Sequence, residues 1–221
     1  IASNDPSRVL VSPNGTTAGT ASFTQNLANG QTTVNYYVHG LENITGSTTV
    51  TASAPGFGSV QQTGTVVAAG LGVQSLSPTT TTLSASDTNW YVRVGLPSAG
   101  NANLSLLQAP RVGGPPFIVT ITNSNANVAQ LVSDEPATTG QSVTKPILAG
   151  NTNTVSNGPG TWFGLTFDPL SAGATTLTVT GPPGVLTMSS AGVRTVTVTG
   201  PSISAPSTTT VGSRLQTSMS A

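Results

Sequence analysis

The chain alternates apolar and polar positions over many short segments, and β-branched residues occupy many of the apolar positions. Alternation with a period of two predicts β-strands with one buried face, because successive side chains point to opposite sides of a sheet. No window has the longer period of an amphipathic helix, although 102–109 is compatible with one short helical turn. The predicted strands are 9–11, 22–24, 33–38, 47–52, 63–68, 90–94, 117–121, 162–167, 175–180 and 193–199.

The sequence contains an internal repeat. Leu10-Val11-Ser12 recurs as Leu131-Val132-Ser133, at an offset of 121 residues, and a third copy opens at Ile203-Ser204, which matches Leu76-Ser77. Repetition of this kind indicates an array of similar units rather than one domain with one site. The repeat divides the chain into units at 1–70, 71–200 and 201–221.

Turn-forming sequences separate the predicted strands, as at Pro13-Asn14-Gly15, Ala54-Pro55-Gly56 and Gly181-Pro182-Pro183-Gly184. About seven short strands between such turns, in each full copy of the repeat, are typical of a β-sandwich of the immunoglobulin type. We therefore expect an all-β chain with two immunoglobulin-like β-sandwich modules in tandem.

The first module is expected to be incomplete, because 1–70 matches the later part of the complete unit 71–200, and 201–221 matches its opening. A unit without its first strands would leave unpaired backbone groups at its sheet edges. We expect a neighbouring copy to complete it, with the tail 201–221 as the donor strand. The inward anchors of that assembly strand would be Ile203, Val211, Leu215 and Met219. Because the chain begins with Ile1 rather than methionine, we also expect a processed or excised product.

Charged residues are rare, at 5% of the chain, and the net charge is zero. Serine and threonine supply 64 of the 221 residues, so hydroxyl groups provide most of the polar surface. The lack of a basic cluster argues against a nucleic-acid partner. The sequence has no run of about 18 apolar residues, so it predicts no membrane span. With 36% apolar residues the chain can still bury sizeable cores, and weak charge repulsion suits a protein that assembles.

The residues needed for catalysis or for a transition-metal site are scarce. His39 is the only histidine, cysteine is absent, and no G-x-S-x-G motif occurs. We therefore expect no enzyme activity, no catalytic residue and no cofactor. Asp134 and Glu135 are weak candidates for a calcium site in a loop, with a solvated acidic loop as the simpler interpretation.

Two kinds of covalent modification are compatible with the sequence. Lys145 is the only lysine, and we expect it to be exposed. If it were buried, it could instead form an amide cross-link to an asparagine, promoted by an acid such as Glu135. Candidate glycosylation motifs begin at Asn14, Asn43 and Asn103, although chance matches are expected in a chain this rich in asparagine and threonine.

One segment resembles a known family. Thr48-Thr49-Val50-Thr51-Ala52-Ser53-Ala54-Pro55-Gly56-Phe57, preceded by Val34-Asn35-Tyr36-Tyr37-Val38, is similar to bacterial immunoglobulin-like (BIg-type) repeats, and 177–185 is a degenerate copy of this segment. Such repeats occur in tandem in very large secreted or surface-anchored bacterial proteins. The resemblance implies an extracellular structural or adhesive role, and it carries no catalytic residues.

These observations favour a structural protein. We expect a subunit of an extracellular bacterial filament or cell-surface array, assembled head-to-tail by β-strand complementation. Its partners would be copies of itself or adjoining modules of the same chain. The alternative is an adhesin or binding module whose sandwich loops recognise a carbohydrate or a protein.

Overall fold

The computed structural model describes residues 1–81, 88–134, 136–154, 164–200, 210–214, 216 and 218. Within these residues the chain is all-β, with one short 3₁₀ turn at Ala99–Asn101, which confirms the expected fold class at this level. The strands are β1 (Ala2–Ser3), β2 (Val9–Ser12), β3 (Tyr37–Gly40), β4 (Gly46–Ala52), β5 (Val60–Val66), β6 (Gly70–Gln74), β7 (Thr79–Thr81), β8 (Thr88–Pro97), β9 (Leu104–Leu107), β10 (Phe117–Asn123), β11 (Ala129–Asp134), β12 (Ala137–Gly140), β13 (Ser142–Ile147), β14 (Leu165–Pro169), β15 (Gly173–Thr180), β16 (Leu186–Thr187) and β17 (Val193–Thr199).

Residues 70–200, the second half of the chain, form a β-sandwich. One sheet has the strand order β13-β10-β15-β17-β7, and the facing sheet has the order β12-β11-β14-β8-β6-β16, with β9 beside β8. Both sheets contribute to one core, whose fully buried side chains include Trp90, Ile121, Leu131, Phe167 and Val196. This half therefore has the continuous apolar interior that a folded unit requires.

Residues 1–69, the first half, form a smaller structure. One sheet has the order β1-β4-β5, and a second sheet consists of β2 and β3. The core between them is limited to the buried side chains of Val9, Val11 and Val50, with Ile1, Phe23, Tyr36 and Val66 partly buried against them. Three buried valines cover little of the inner surface of two sheets, so much of this half stays exposed to solvent.

The first half repeats the hydrogen-bond pattern of the second half. Ser3 N donates to Ala21 O at 2.8 Å, and Asn123 N donates to Gln141 O at the same distance. Ser3 and Asn123 are 120 residues apart in the sequence, and so are Ala21 and Gln141. The same offset relates the pairs Val11–Thr20 and Leu131–Gly140, and the pairs Ala2–Ser22 and Thr122–Ser142.

The later strands are equivalent as well. Asn4 N donates to Thr49 O at 3.0 Å, as Ser124 N donates to Thr176 O at 3.0 Å, which makes β4 the counterpart of β15. By the same argument β3 corresponds to β14 and β5 to β17. The first half therefore repeats the end of β10 and the strands β11, β14, β15 and β17, with isolated bridges in the places of β12 and β13. None of its described residues corresponds to β6, β7 or β8.

The match of Leu10-Val11-Ser12 to Leu131-Val132-Ser133 is one residue out of register. The backbone equivalence pairs Val11 with Leu131, and both side chains are fully buried. Leu10, in contrast, is half-buried on the other face of β2. A shift of one residue turns every side chain of a strand to the opposite face, so the offset of 121 was wrong and 120 is the structural offset.

Three predictions of local structure were also wrong. The segment 102–109 contains the strand β9 instead of a helical turn. Segment 22–24 forms no strand, although Ser22 makes an isolated bridge to Ala2 and Phe23 exchanges hydrogen bonds with Ile1, because the partner strand β1 is two residues long. The strand predicted at 33–38 begins at Tyr37 and ends at Gly40.

Candidate assembly surface

The outer edge of β5 lacks the neighbour that its equivalent strand has. In the second half β7 lies parallel to β17, and Thr197 N donates to Pro78 O at 2.8 Å. Thr65 takes the place of Thr197, since Thr65 is opposite Ser47 in β4 and Thr197 is opposite Ala174 in β15. Within the described part of the chain, no strand lies on the other side of β5. That edge of the sheet is therefore open.

The contact between the side chains of Ser47 and Thr65 shows which way the backbone of Thr65 points. Ser47 Oγ and Thr65 Oγ1 lie 2.8 Å apart. In an antiparallel ladder, side chains approach most closely at pairs whose backbone groups do not bond to each other. The N–H and C=O of Thr65 therefore point away from β4, toward the open edge of β5.

The strand β3 has a similar open edge. Its counterpart β14 is paired with β11 on one side and with β8 on the other, where Phe167 is opposite Thr88. Val38 occupies the place of Phe167, because Val38 is opposite Val11 and Phe167 is opposite Leu131. Phe167 is fully buried, whereas Val38 is 49% exposed. β14 has β8 as a second neighbour, whereas no described strand takes that place beside β3.

A cleft of about 700 Å³ lies beside both open edges, between the two halves of the chain. Val38 and Val66 line it from the first half, and Phe117 and Val185 line it from the second half. Its volume is comparable to that of pockets that bury small ligands, which range from about 300 to 1,000 Å³. The half-exposed apolar side chains of the first half thus face a space large enough for the side chains of an added strand.

A bidentate ion pair joins the two halves beside this cleft. Arg111 Nε and Nη2 donate to the two carboxylate oxygens of Glu42, both at 2.8 Å. The hydrogen bonds from Arg111 lower the pKa of Glu42. The backbone of Gly113 approaches Ala18 so closely that a side chain at 113 would collide with it. No sequence signal indicated this pairing, because its two residues are 69 positions apart.

The structure brings His39 and Ser12 together, but not as a catalytic pair. Ser12 Oγ lies 2.8 Å from Nε2 of His39 and 2.7 Å from the carbonyl oxygen of Asn14. Because the carbonyl can only accept, it takes the single proton of the serine, and Nε2 of His39 must donate to Oγ. A histidine that activates a serine has to accept that proton instead. Burial, and secondarily the positive charge of Arg111, lower the pKa of His39, which favours the neutral ring.

The predicted assembly strand lies mostly outside the described residues. This applies to Ile203, Leu215 and Met219. Val211 is described and is 52% exposed, in a segment, 210–214, that contains no strand. The role of these four residues as anchors stays a prediction.

The calcium candidates gain no further support. Asp134 lies at the end of β11, where it accepts a hydrogen bond from the ammonium group of Lys145. Glu135 lies outside the described residues. Among the residues that are described, no group of three or more histidine, cysteine or acidic side chains could hold a metal ion. Because Asp134 already pairs with the positive charge of Lys145, it is a weak ligand for calcium. The calcium site stays a prediction.

The expectation of an exposed Lys145 was wrong, because its side chain is 1% exposed. In β13 the buried positions alternate, and Val143, Lys145 and Ile147 all point into the sandwich. That alternation is visible in the sequence and could have placed Lys145 inside. Pro146 is compatible with this strand, because proline is tolerated in edge strands and β13 is one.

The three candidate glycosylation sites are all exposed. Asn14 is in a turn, where its side-chain oxygen accepts from Thr16 N at 3.0 Å and from Thr17 Oγ1 at 2.8 Å. Asn43 has a positive φ of 59°, and Asn103 directly precedes β9. Exposure is necessary for sugar attachment, and the attachment itself stays a prediction.

Comparison of the chain with family models, with curated proteins and with solved structures gave no match. The resemblance to bacterial immunoglobulin-like repeats therefore stays an expectation. In the described ranges, no helix has the length and apolar character that crossing a bilayer requires.

Proposed function

We propose that the protein is a structural subunit of an extracellular bacterial filament or surface array, and that it assembles by β-strand addition. One observation carries the proposal: no strand among the described residues covers the outer edges of β3 and β5 beside the cleft, while their counterparts β14 and β17 are covered by β8 and β7. An added strand would bond to these edges through its main chain and place alternate side chains in the cleft. This would remove the exposed edges of the first half.

The proposal treats both halves as immunoglobulin-like sandwiches. In the second half, the order β6-β8-β14-β11 in one sheet matches the strands A-B-E-D of that fold, and β17-β15-β10 in the other matches G-F-C. The strands β12 and β13 are an insertion between D and E. In this scheme the first half contains the counterparts of D to G and the end of C, and a donor would supply the opening strands.

We assign the donor role to 201–221 of a neighbouring copy. Thr208-Thr209-Thr210 matches Thr80-Thr81-Thr82, which overlaps β7. A segment of this type would lie parallel to β5, as β7 lies parallel to β17. The contact joins the tail of one copy to the first half of the next, and such a heterologous contact propagates as a filament unless it closes into a ring. Adjoining modules of one chain would use the same pairing.

Deletion of 201–221 tests the proposal. We expect the full chain to form filaments in electron micrographs, with a repeat close to the length of two sandwiches, and the deleted chain to give discrete particles. A chain in which 201–221 is replaced by a glycine-serine segment of equal length is the matched control, and it should also give discrete particles. Filaments formed by the deleted chain would contradict the donor assignment. Discrete particles of the full chain would favour the alternative, an adhesin or binding module.

A further inference from the structure

Lys145 projects from the edge strand β13 into the core of the second half. Its side chain is 1% exposed and lies on the same face of the strand as the buried Val143 and Ile147. Its Nζ is in direct contact with Oδ1 of Asp134, which is on β11 in the facing sheet. An amine and a carboxyl group from two different sheets therefore meet at the end of β11, where the amine is buried and the carboxyl group is 17% exposed.

Gly164 closes the space over this pair. Its φ is 72°, which favours glycine, and its carbonyl oxygen accepts from Asp134 N at 3.1 Å. A side chain at 164 would collide with Oδ1 of Asp134 and with Nζ of Lys145. The backbone therefore packs directly against the two reactive groups.

A buried ion pair at this place carries a high desolvation cost. The Lys145 ammonium loses its water, the Asp134 carboxylate keeps 17% of its side-chain surface exposed, and their mutual attraction repays the desolvation cost only in part. Val143 and Ile147 on either side of Lys145 supply no polar atoms from their side chains to help. A neutral bond between the same two groups would keep the contact and remove both charges.

We propose that Lys145 and Asp134 are joined by an amide bond between their side chains. The ammonium group first passes one proton to the carboxylate of Asp134; the lone pair of the neutral Nζ then attacks Cγ, the N–C bond forms, and one carboxyl C–O bond breaks. The departing oxygen leaves as water with two protons that the ammonium group carried. No electrons are exchanged with another molecule, so the reaction needs no oxidant and no cofactor.

Proximity drives this condensation. Two groups held in reacting geometry behave as if their concentration were on the order of 10⁵–10⁸ M. That advantage can overcome the unfavourable equilibrium of amide formation between separate molecules in water. Exclusion of water from the core also protects the product from hydrolysis.

The first half lacks the pair. At the offset of 120 residues, Asn14 takes the place of Asp134 and Gln25 takes the place of Lys145. Both side chains are exposed in the first half. The cross-link therefore belongs to the complete sandwich, where it ties β11 in one sheet to β13 in the other. It does not depend on strand addition, because both partners lie within one chain.

The intact mass of the purified full chain tests the cross-link. We expect a mass lower than that of the sequence by one water molecule. Proteolysis should release a branched peptide that contains both Asp134 and Lys145, identified by its fragment masses. A folded chain with the full mass of its sequence would overturn the proposal.

Lys145→Arg is the matched control, because it keeps the positive charge and lacks the primary amine. We expect the full sequence mass for this variant and also for Asp134→Ala. If Lys145→Arg still lacked one water, the loss would lie elsewhere in the chain and the proposal would fail. The test does not require the variants to be stable, because the mass of the unaltered chain already decides it.

Discussion

Replacing Thr65 with proline is expected to stop head-to-tail assembly and to leave the subunit folded. The N–H of Thr65 points to the open edge of β5, so proline removes no backbone hydrogen bond of the unassembled subunit, although the side-chain contact with Ser47 is lost. Loss of the hydrogen bond to an added strand, with the carbonyl of the donor strand left unsatisfied, costs about 2 kcal/mol at each interface. Association should weaken by at least about tenfold. Sedimentation of the full chain over a range of concentrations measures this effect.

Thr63→Pro is the matched control for this variant. Thr63 has the same orientation two residues earlier in β5, but the ladder between β7 and β17 corresponds to positions 65–67 only. We therefore expect Thr63→Pro to assemble like the unaltered chain. Equal loss of assembly in both variants would indicate general damage to β5, and normal assembly of Thr65→Pro would contradict strand addition at this edge.

The largest loss of stability is expected for Phe167→Ala. Phe167 is fully buried in β14, between β11 and β8. Truncation of a buried phenylalanine costs about 3–5 kcal/mol, through lost burial and through the cavity left behind. Urea unfolding of the chain without 201–221, followed by tryptophan fluorescence, measures this cost. Trp90 is fully buried in the second half and reports on it.

Val38→Ala makes the equivalent change in the first half. Because Val38 is 49% exposed, its truncation should cost less than about 1 kcal/mol in the unassembled chain. Near-ultraviolet circular dichroism of Tyr36 and Tyr37 can follow the unfolding of this half. A cost of several kcal/mol would mean that position 38 is already covered, and the account of an open edge would be wrong.

The sequence predicted those strands in which threonine alternates with valine or leucine. In β17, Val196 and Val198 are buried and the threonines beside them are exposed, as a period of two requires. Some strands with a weaker contrast were missed, such as β11, where Ser133 is at a buried position and Val132 at a half-buried one. The alternation at 22–24 was present without a strand, because pairing also needs a partner of sufficient length.

The candidate surface was predictable in part. The repeat indicated which strands the first half lacks. Detecting the repeat requires only a comparison of the sequence with itself. The correct register between the two halves could be read only from the backbone hydrogen bonds, which give an offset of 120 residues. The identical residues Leu-Val-Ser favoured an offset of 121 instead. Contacts between distant residues, such as Arg111 with Glu42 and Lys145 with Asp134, depend on how the strands are brought together in space. A single sequence carries no direct signal for such pairs.

Amide hydrogen exchange at Thr65 and Val67 tests strand addition most directly, since their backbone groups would be covered by a neighbour. The comparison is between the assembled full chain and the chain without 201–221, with the amide of Thr63 as the internal reference. Strand addition predicts slow exchange at 65 and 67 in the assembled chain, fast exchange in the deleted chain, and no change at 63. Exchange at 65 and 67 that is equally fast in both samples would show that no strand pairs with this edge.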